Sequence, residues 1–378
     1  MTKARNSSIE LLRIIAMMMI ISHHYIVGSQ INTLAQPISF HKLFADCILR
    51  PGGKIGVTIF FLITAWFLSS MKEASSKKCF RKILQIEKEM LFYSITICIF
   101  SFLFLKDYFS NRYFVISFFP TIFRLWWYPT SYIVFLLLFP FLHIGLQRIG
   151  KGLHKRLCCV SFFIWGILAG IFPDINLDIT AQNMIIFIYI YILITYYRWY
   201  MKPIAAKTSV VLILVSFLFI VLDITTCALL FKYSNNNYFL TISDTWISHE
   251  WKLPVLGAAF GIFNLFVQKH FSSKTINTIA STTFGIFLFH NHPLINEVLR
   301  HSLFDFSTYY FSKVFYIFSI LTILIVFFSG MILDFCRQLL FNLLSNPLAA
   351  FDTRVLHIYN SLTITAFKLI DNLSTIHH

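Results

Sequence analysis

Apolar runs long enough to cross a bilayer, roughly 17 to 25 residues each, recur along the chain and are separated by short polar segments. They lie at 11–27, 55–71, 90–105, 127–146, 157–172, 183–199, 210–231, 254–267, 276–289 and 314–335. The pattern predicts an all-α polytopic membrane protein of about ten transmembrane helices. The runs at 254–267 and 276–289 are short for a bilayer, so the count carries a margin of about one. The first run starts close to the N-terminus and has no small-residue cleavage pattern after it, so it reads as a retained span. Residues 1–336 form the expected transmembrane domain. Residues 337–378 mix apolar runs with Asn, Ser and Asp, a pattern expected of a cytoplasmic amphipathic tail. No repeat of solenoid period or inverted repeat stands out.

Composition agrees with the pattern. The 378 residues are 57% hydrophobic and only 12% charged, with a mean hydropathy of +0.73, where soluble domains carry about a quarter charged residues. The 44 Phe, 17 Tyr and 7 Trp suit lipid contact, interfacial belts and helix packing. The seven Cys form no CxxC pair and fall mostly in or beside apolar runs, so neither a zinc site nor a disulfide framework is expected.

The formal charge of +15 raises nucleic acid as a partner, and the placement of the charges removes it. With Lys3 and Arg5 on the cytoplasmic side, the loops after the even-numbered runs are cytoplasmic too. Those loops hold Lys72, Lys77, Lys78, Arg81, Lys82 and Lys88, then Arg148, Lys151, Lys155 and Arg156, then Arg198, Lys202 and Lys207, and then Lys269 and Lys274. The opposite segment at 174–182 has no Lys or Arg. The bias predicts both termini in the cytoplasm.

Within this frame Glu10, Arg13, His23 and His24 share one span, although charged groups at membrane depth cost at least a few kcal/mol each. Arg13 and His24 are eleven residues apart, three helical turns plus about 20°, so they share a face and stand roughly 16 Å apart along the axis. His23 points about 100° away from His24. Glu10 is placed to pair with Arg13. An interfacial Glu10–Arg13 pair and a neutral, hydrogen-bonded His24 are the structural alternatives. His290 closes the ninth run at a depth similar to that of His24, where a histidine near a Pro-marked helix end also occurs for structural reasons. Asp223, in the outer part of the seventh run, either orients an imidazole or faces a polar interior.

These residues resemble acyltransferase family 3, the membrane-bound O-acyltransferase type that includes surface polysaccharide O-acetyltransferases. The likeness runs from about Glu10 to Asp334. It is carried by Ile9-Glu10-Leu11-Leu12-Arg13-Ile14-Ile15-Ala16 followed by His23-His24, by Gly53-Lys54-Ile55-Gly56-Val57-Thr58-Ile59-Phe60-Phe61, and by Phe284-Gly285-Ile286-Phe287-Leu288-Phe289-His290. The last looks like the family's Phe-Gly-Ile-Tyr-Leu-Ile-His. Two departures accompany it. Thr64-Ala65 replaces a usual Ser-Gly, and Cys79 to Lys88 has Glu87 and lacks the family's Arg-rich signature.

The resemblance implies transfer of an acetyl or related acyl group from cytoplasmic acyl-CoA to a hydroxyl of a cell-surface or lipid-linked saccharide, in a bacterial cytoplasmic membrane. It implies catalytic roles for His24, Arg13, His290 and Glu10, and donor contacts from Arg13, Lys54 and Lys82. His24 would be the general base, and His290 would orient the acceptor or stabilise an oxyanion. No metal is expected. The expected partners are an envelope glycan such as capsule or lipopolysaccharide and membrane lipid, without nucleic acid and compatibly with a homo-oligomer. A transporter moving an acyl group or saccharide without covalent chemistry is the rival class. It calls for charges at midplane and interrupted helices, whereas the charges here sit near the two ends of one helix.

Overall fold

The computed structural model describes residues 5–172, 179 and 183–375, with side chains as far as 365. Lys3 and most of the charge-poor segment at 174–182 lie outside the described residues. Every regular element among them is a helix.

In chain order the main helices are α1 (Ser7–Gly28), α2 (Gly52–Leu68), α3 (Ser76–Phe104), α4 (Asn111–Phe118), α5 (Trp127–Ser161), α6 (Met184–Tyr200), α7 (Ala206–Ser234), α8 (Leu253–Val267), α9 (Lys274–Ser281), α10 (Thr283–His290), α11 (Pro293–His301), α12 (Val314–Leu343) and α13 (Ser345–Thr375). Among the described residues, five helical runs are long and apolar enough to cross a membrane: Ser7–Gly28, Phe40–Leu68, Trp127–Ile171, Ala206–Ser234 and Val314–Leu343. The helices Met184–Tyr200 and Leu253–Val267 are apolar but shorter.

Several elements extend past the apolar runs. The helix α3 starts at Ser76 and carries the basic stretch that reads as a loop in the sequence. The runs at 127–146 and 157–172 belong to one continuous stretch of helical residues, bent where Gly150 adopts φ 70°, a left-handed conformation that glycine takes without steric cost. The run at 276–289 is broken between α9 and α10. The boundary expected at 336/337 falls inside α12, because Arg337 is buried there and bonds Asp334. A helical tail follows as α13. It is tied to α3 by Lys88 to Asp352 at 2.7 Å and by Phe80 stacked on Tyr359 at 4.0 Å.

The helix α1 is the centre of the fold and contacts α2, α8, α9, α10, α11 and α12. Its closest neighbour is α2, where small residues admit the backbone. A Cβ on Gly52 would lie 2.7 Å from the Met19 carbonyl oxygen, and one on Gly56 would lie 2.6 Å from that of Ala16. This small-xxx-small spacing drives close helix contact in a membrane, where burial of apolar surface gives no preference for protein over lipid. By contrast α5, α7 and α12 turn Leu137, Phe141, Leu218, Leu222, Ile320 and Ile332 outward, as lipid-facing helices do.

Candidate active site

The site is strung along one face of α1. At its first turns Glu10 is almost fully buried and takes two cations, Arg5 at 3.2 Å and Arg13 at 3.7 Å. Asn6 caps the helix by accepting from the Ser8 amide. Arg13 keeps 27% of its side-chain surface accessible, and its charge reaches Tyr128 and Tyr132 of α5 and Lys82 of α3. Arg13 and Lys82 are therefore brought to one end of the bundle, with Glu89 close to Lys82.

From that end a file of rings leads along the interior. Tyr132 and Tyr128 are 6.5 Å apart, Tyr128 and Phe287 5.9 Å, and Phe287 and His290 6.1 Å. The His290 ring is 5.2 Å from that of His24. The two histidines are brought together from α1 and the last residue of α10.

Their hydrogen bonds distinguish them. The Nδ1 of His290 is 2.6 Å from the Ile286 carbonyl. A carbonyl only accepts, so Nδ1 carries the proton and Nε2 presents a lone pair in the neutral ring. That Nε2 and the Nδ1 of His24 are both buried without a hydrogen-bond partner. Buried polar nitrogens normally find partners, so two unbonded ones on neighbouring rings leave a hydrogen-bonding position that a bound group could fill. In that neutral tautomer the Nε2 of His290 accepts a hydrogen bond and does not donate one.

His23 is held elsewhere. Its Nδ1 donates to the Arg50 carbonyl at 2.7 Å, and its ring lies so close to Gly53 that a Cβ there would come within 2.4 Å of it. Arg50 is itself fixed by Asp46 at 3.0 Å and by the Thr33 hydroxyl at 2.7 Å, while fully buried Lys42 pairs with Asp46 at 3.1 Å. The signal for this network was Lys42, Asp46 and Arg50 at i, i+4 and i+8.

Lys54 is not brought together with Arg13 and Lys82. It sits at the histidine end, 3.1 Å from the buried Glu250, and its charge reaches His23 and His24. The Oε2 of Glu250 is buried without a hydrogen-bond partner. Next to it, His249 stacks on Trp251 at 4.3 Å. Burial and the Lys54 ammonium push His249 down to about 4, so it is neutral at ordinary pH. Asp223 does not orient an imidazole. It bonds the Cys227 thiol at 3.5 Å, in a cluster with Cys47 and Ile224.

A second network, not foreseen from the sequence, locks α10. Asp334 accepts from Tyr93 at 3.0 Å, from Arg337 at 2.7 Å and from Gln338 at 2.8 Å, and Arg337 also pairs with Glu89 at 3.4 Å. The Gly285 backbone lies directly against this carboxylate, where a Cβ would stand 1.9 Å from Oδ1. The glycine of the Phe-Gly-Ile stretch is thus the contact that seats α10, and with it His290. No group of three or more His, Cys, Asp or Glu side chains able to hold a metal occurs among the described residues.

The profile of a family described as an acyltransferase domain matches residues 6–342, nearly the whole chain. Searches of curated proteins and of solved structures found no match.

Proposed function

The chain belongs to this acyltransferase family, and on that premise we propose that it is a multi-pass membrane O-acyltransferase, using acyl-CoA as donor and a hydroxyl of an envelope saccharide as acceptor. The family membership and the long apolar helices give membrane acyl transfer. Donor, acceptor and a bacterial inner-membrane location with both termini inside are our reading.

The observation that carries it is the pair of facing imidazoles, each with a buried and unbonded ring nitrogen, at the far end of the helix that carries Arg13. Arg13 and Lys82 hold the phosphates of the donor at the cationic end, as guanidinium and ammonium groups do. The pantetheine arm lies along the ring file and brings the thioester roughly 16 Å, eleven residues of helix rise, to the level of His24. His24 Nδ1 removes the proton of the acceptor hydroxyl as its oxygen attacks the thioester carbonyl. The C–S bond breaks, the CoA thiolate leaves toward the cationic end, and the ester forms on the saccharide. His290 Nε2 is the second proton acceptor beside the reacting hydroxyl, and Glu10 holds Arg13 in place.

The test measures acyl esters on surface glycan in cells expressing His24→Ala or Arg13→Ala. Loss of esters at normal protein level supports the reading, and unchanged ester content overturns it.

A further inference from the structure

Beyond the facing histidines the chain turns at His292-Pro293 into α11, and beside α11 opens a cleft of about 290 Å³. It is lined by Tyr108 and Tyr113 before α5 and by Leu294, Asn296, Glu297 and Arg300 of α11. Two features tie this cleft to the reacting pair. First, α11 starts three residues after His290, and the His292 ring caps it by accepting from the Leu294 amide at 3.2 Å. Second, the alkyl stem of Arg300 packs on Gly28, where a Cβ would stand 3.3 Å from Arg300 Cγ and 2.9 Å from Phe304. Gly28 is one turn beyond His24 on α1, and the Arg300 charge reaches the His24 ring.

The lining of this cleft differs in kind from that of a second, apolar cavity. That cavity, of about 960 Å³ beside α5, α6, α7 and α8, is lined almost wholly by apolar side chains such as Ile190, Ile194, Leu212 and Phe260. The small cleft instead gathers two phenols, an amide, a carboxylate and a guanidinium. Glu297 is held on its other side by His301 at 3.0 Å. Aromatic rings together with a few groups that both donate and accept hydrogen bonds suit a rigid, hydroxyl-rich ring better than a lipid chain or a flat apolar ligand.

We propose that this cleft seats the saccharide acceptor, with a sugar ring against Tyr108 and Tyr113 and its hydroxyls bonded to Asn296, Glu297 and Arg300, so that a neighbouring hydroxyl reaches His24. The inference rests on the acyl-transfer reading and adds the acceptor's place to it. Asn296 and Glu297 act as acceptor-binding residues and play no part in holding the donor.

The experiment compares Asn296→Ala and Tyr113→Ala with the unchanged full chain, in cells and after purification, with His24→Ala in parallel. Losing one or two hydrogen bonds to a bound hydroxyl is expected to lower the acyl-ester content of surface glycan about 10- to 100-fold. Binding of labelled acetyl-CoA to the purified protein should stay within about twofold, since the donor is held at the other end. Ester content equal to that of the unchanged chain in both cleft variants overturns the proposal. So does a parallel loss of acetyl-CoA binding, which shows a role in the fold and none in acceptor recognition. Esters lost in His24→Ala but kept in the cleft variants overturn the cleft alone, and esters kept in His24→Ala overturn the reaction it rests on.

Discussion

The two ends of α1 hold ionisable groups in opposite ways. At the first turns the charges are matched: Glu10 lies between Arg5 and Arg13, and Arg13 keeps accessible surface. At the far end one nitrogen of each ring, His24 Nδ1 and His290 Nε2, is buried and unbonded, and the rings are 5.2 Å apart. A paired, partly open cation is suited to hold an anionic ligand through its remaining donors. A buried imidazole with a free nitrogen is suited to exchange a proton. On the proposed acyl-transfer reading, donor binding falls to one end and chemistry to the other, and each role can be attacked separately.

The largest effect belongs to the histidine end. Removing His24 as general base is expected to lower acyl transfer about 10²- to 10⁴-fold while leaving binding of labelled acyl-CoA intact. His290→Gln keeps a polar side chain but no titrating group, and it should fall in the same direction by a smaller factor. Parallel loss of donor binding in either variant would erase the division between the ends.

Next comes Arg13→Ala. Losing a charge-assisted contact of about 1.5–3 kcal/mol should raise the acyl-CoA concentration for half-maximal rate by about 10- to 100-fold, with the maximal rate little changed. A drop in maximal rate at unchanged half-saturation would place chemistry at the cationic end and break the comparison.

Gly285→Ala tests how the histidine end is built. The added methyl would enter the Asp334 carboxylate, and overpacking of this kind costs about 1–3 kcal/mol. Thermal unfolding of the purified protein should shift downward and activity should fall with it. An unshifted transition would show that α10 seats without this contact. The smallest effect is expected from Arg5→Ala. Its side chain is 53% exposed, so losing that pair should cost less than about 1 kcal/mol. A change in donor affinity as large as that of Arg13→Ala would show that the two cations share the donor.

How much of this the chain shows in advance depends on sequence separation. The Arg13–His24 face and the Glu10 pairing are legible because helix periodicity fixes them within a single element. The meeting of His24 with His290 follows only coarsely, from similar depth in two spans. Lys54 illustrates the limit. The stretch around it resembles part of an acyltransferase, yet nothing local indicates that its ammonium meets Glu250, 196 residues away. The Tyr93–Asp334 bond spans 241 residues. Its one signal is the cost of intramembrane charge, which makes Asp334 and Arg337 at i, i+3 stand out. The kink at Gly150 is signalled by Gly150-Lys151-Gly152, but the helix on either side of it, running through the basic residues, is not, because basic residues between apolar runs read as a loop as readily as a helix.

Incubating the purified full chain with labelled acetyl-CoA and membranes carrying envelope glycan tests the central claim most directly. The account predicts label in a covalent ester on the glycan, reduced at least about 100-fold in His24→Ala. Uptake or release of label with no covalent product, or undiminished ester formation by His24→Ala, would contradict it.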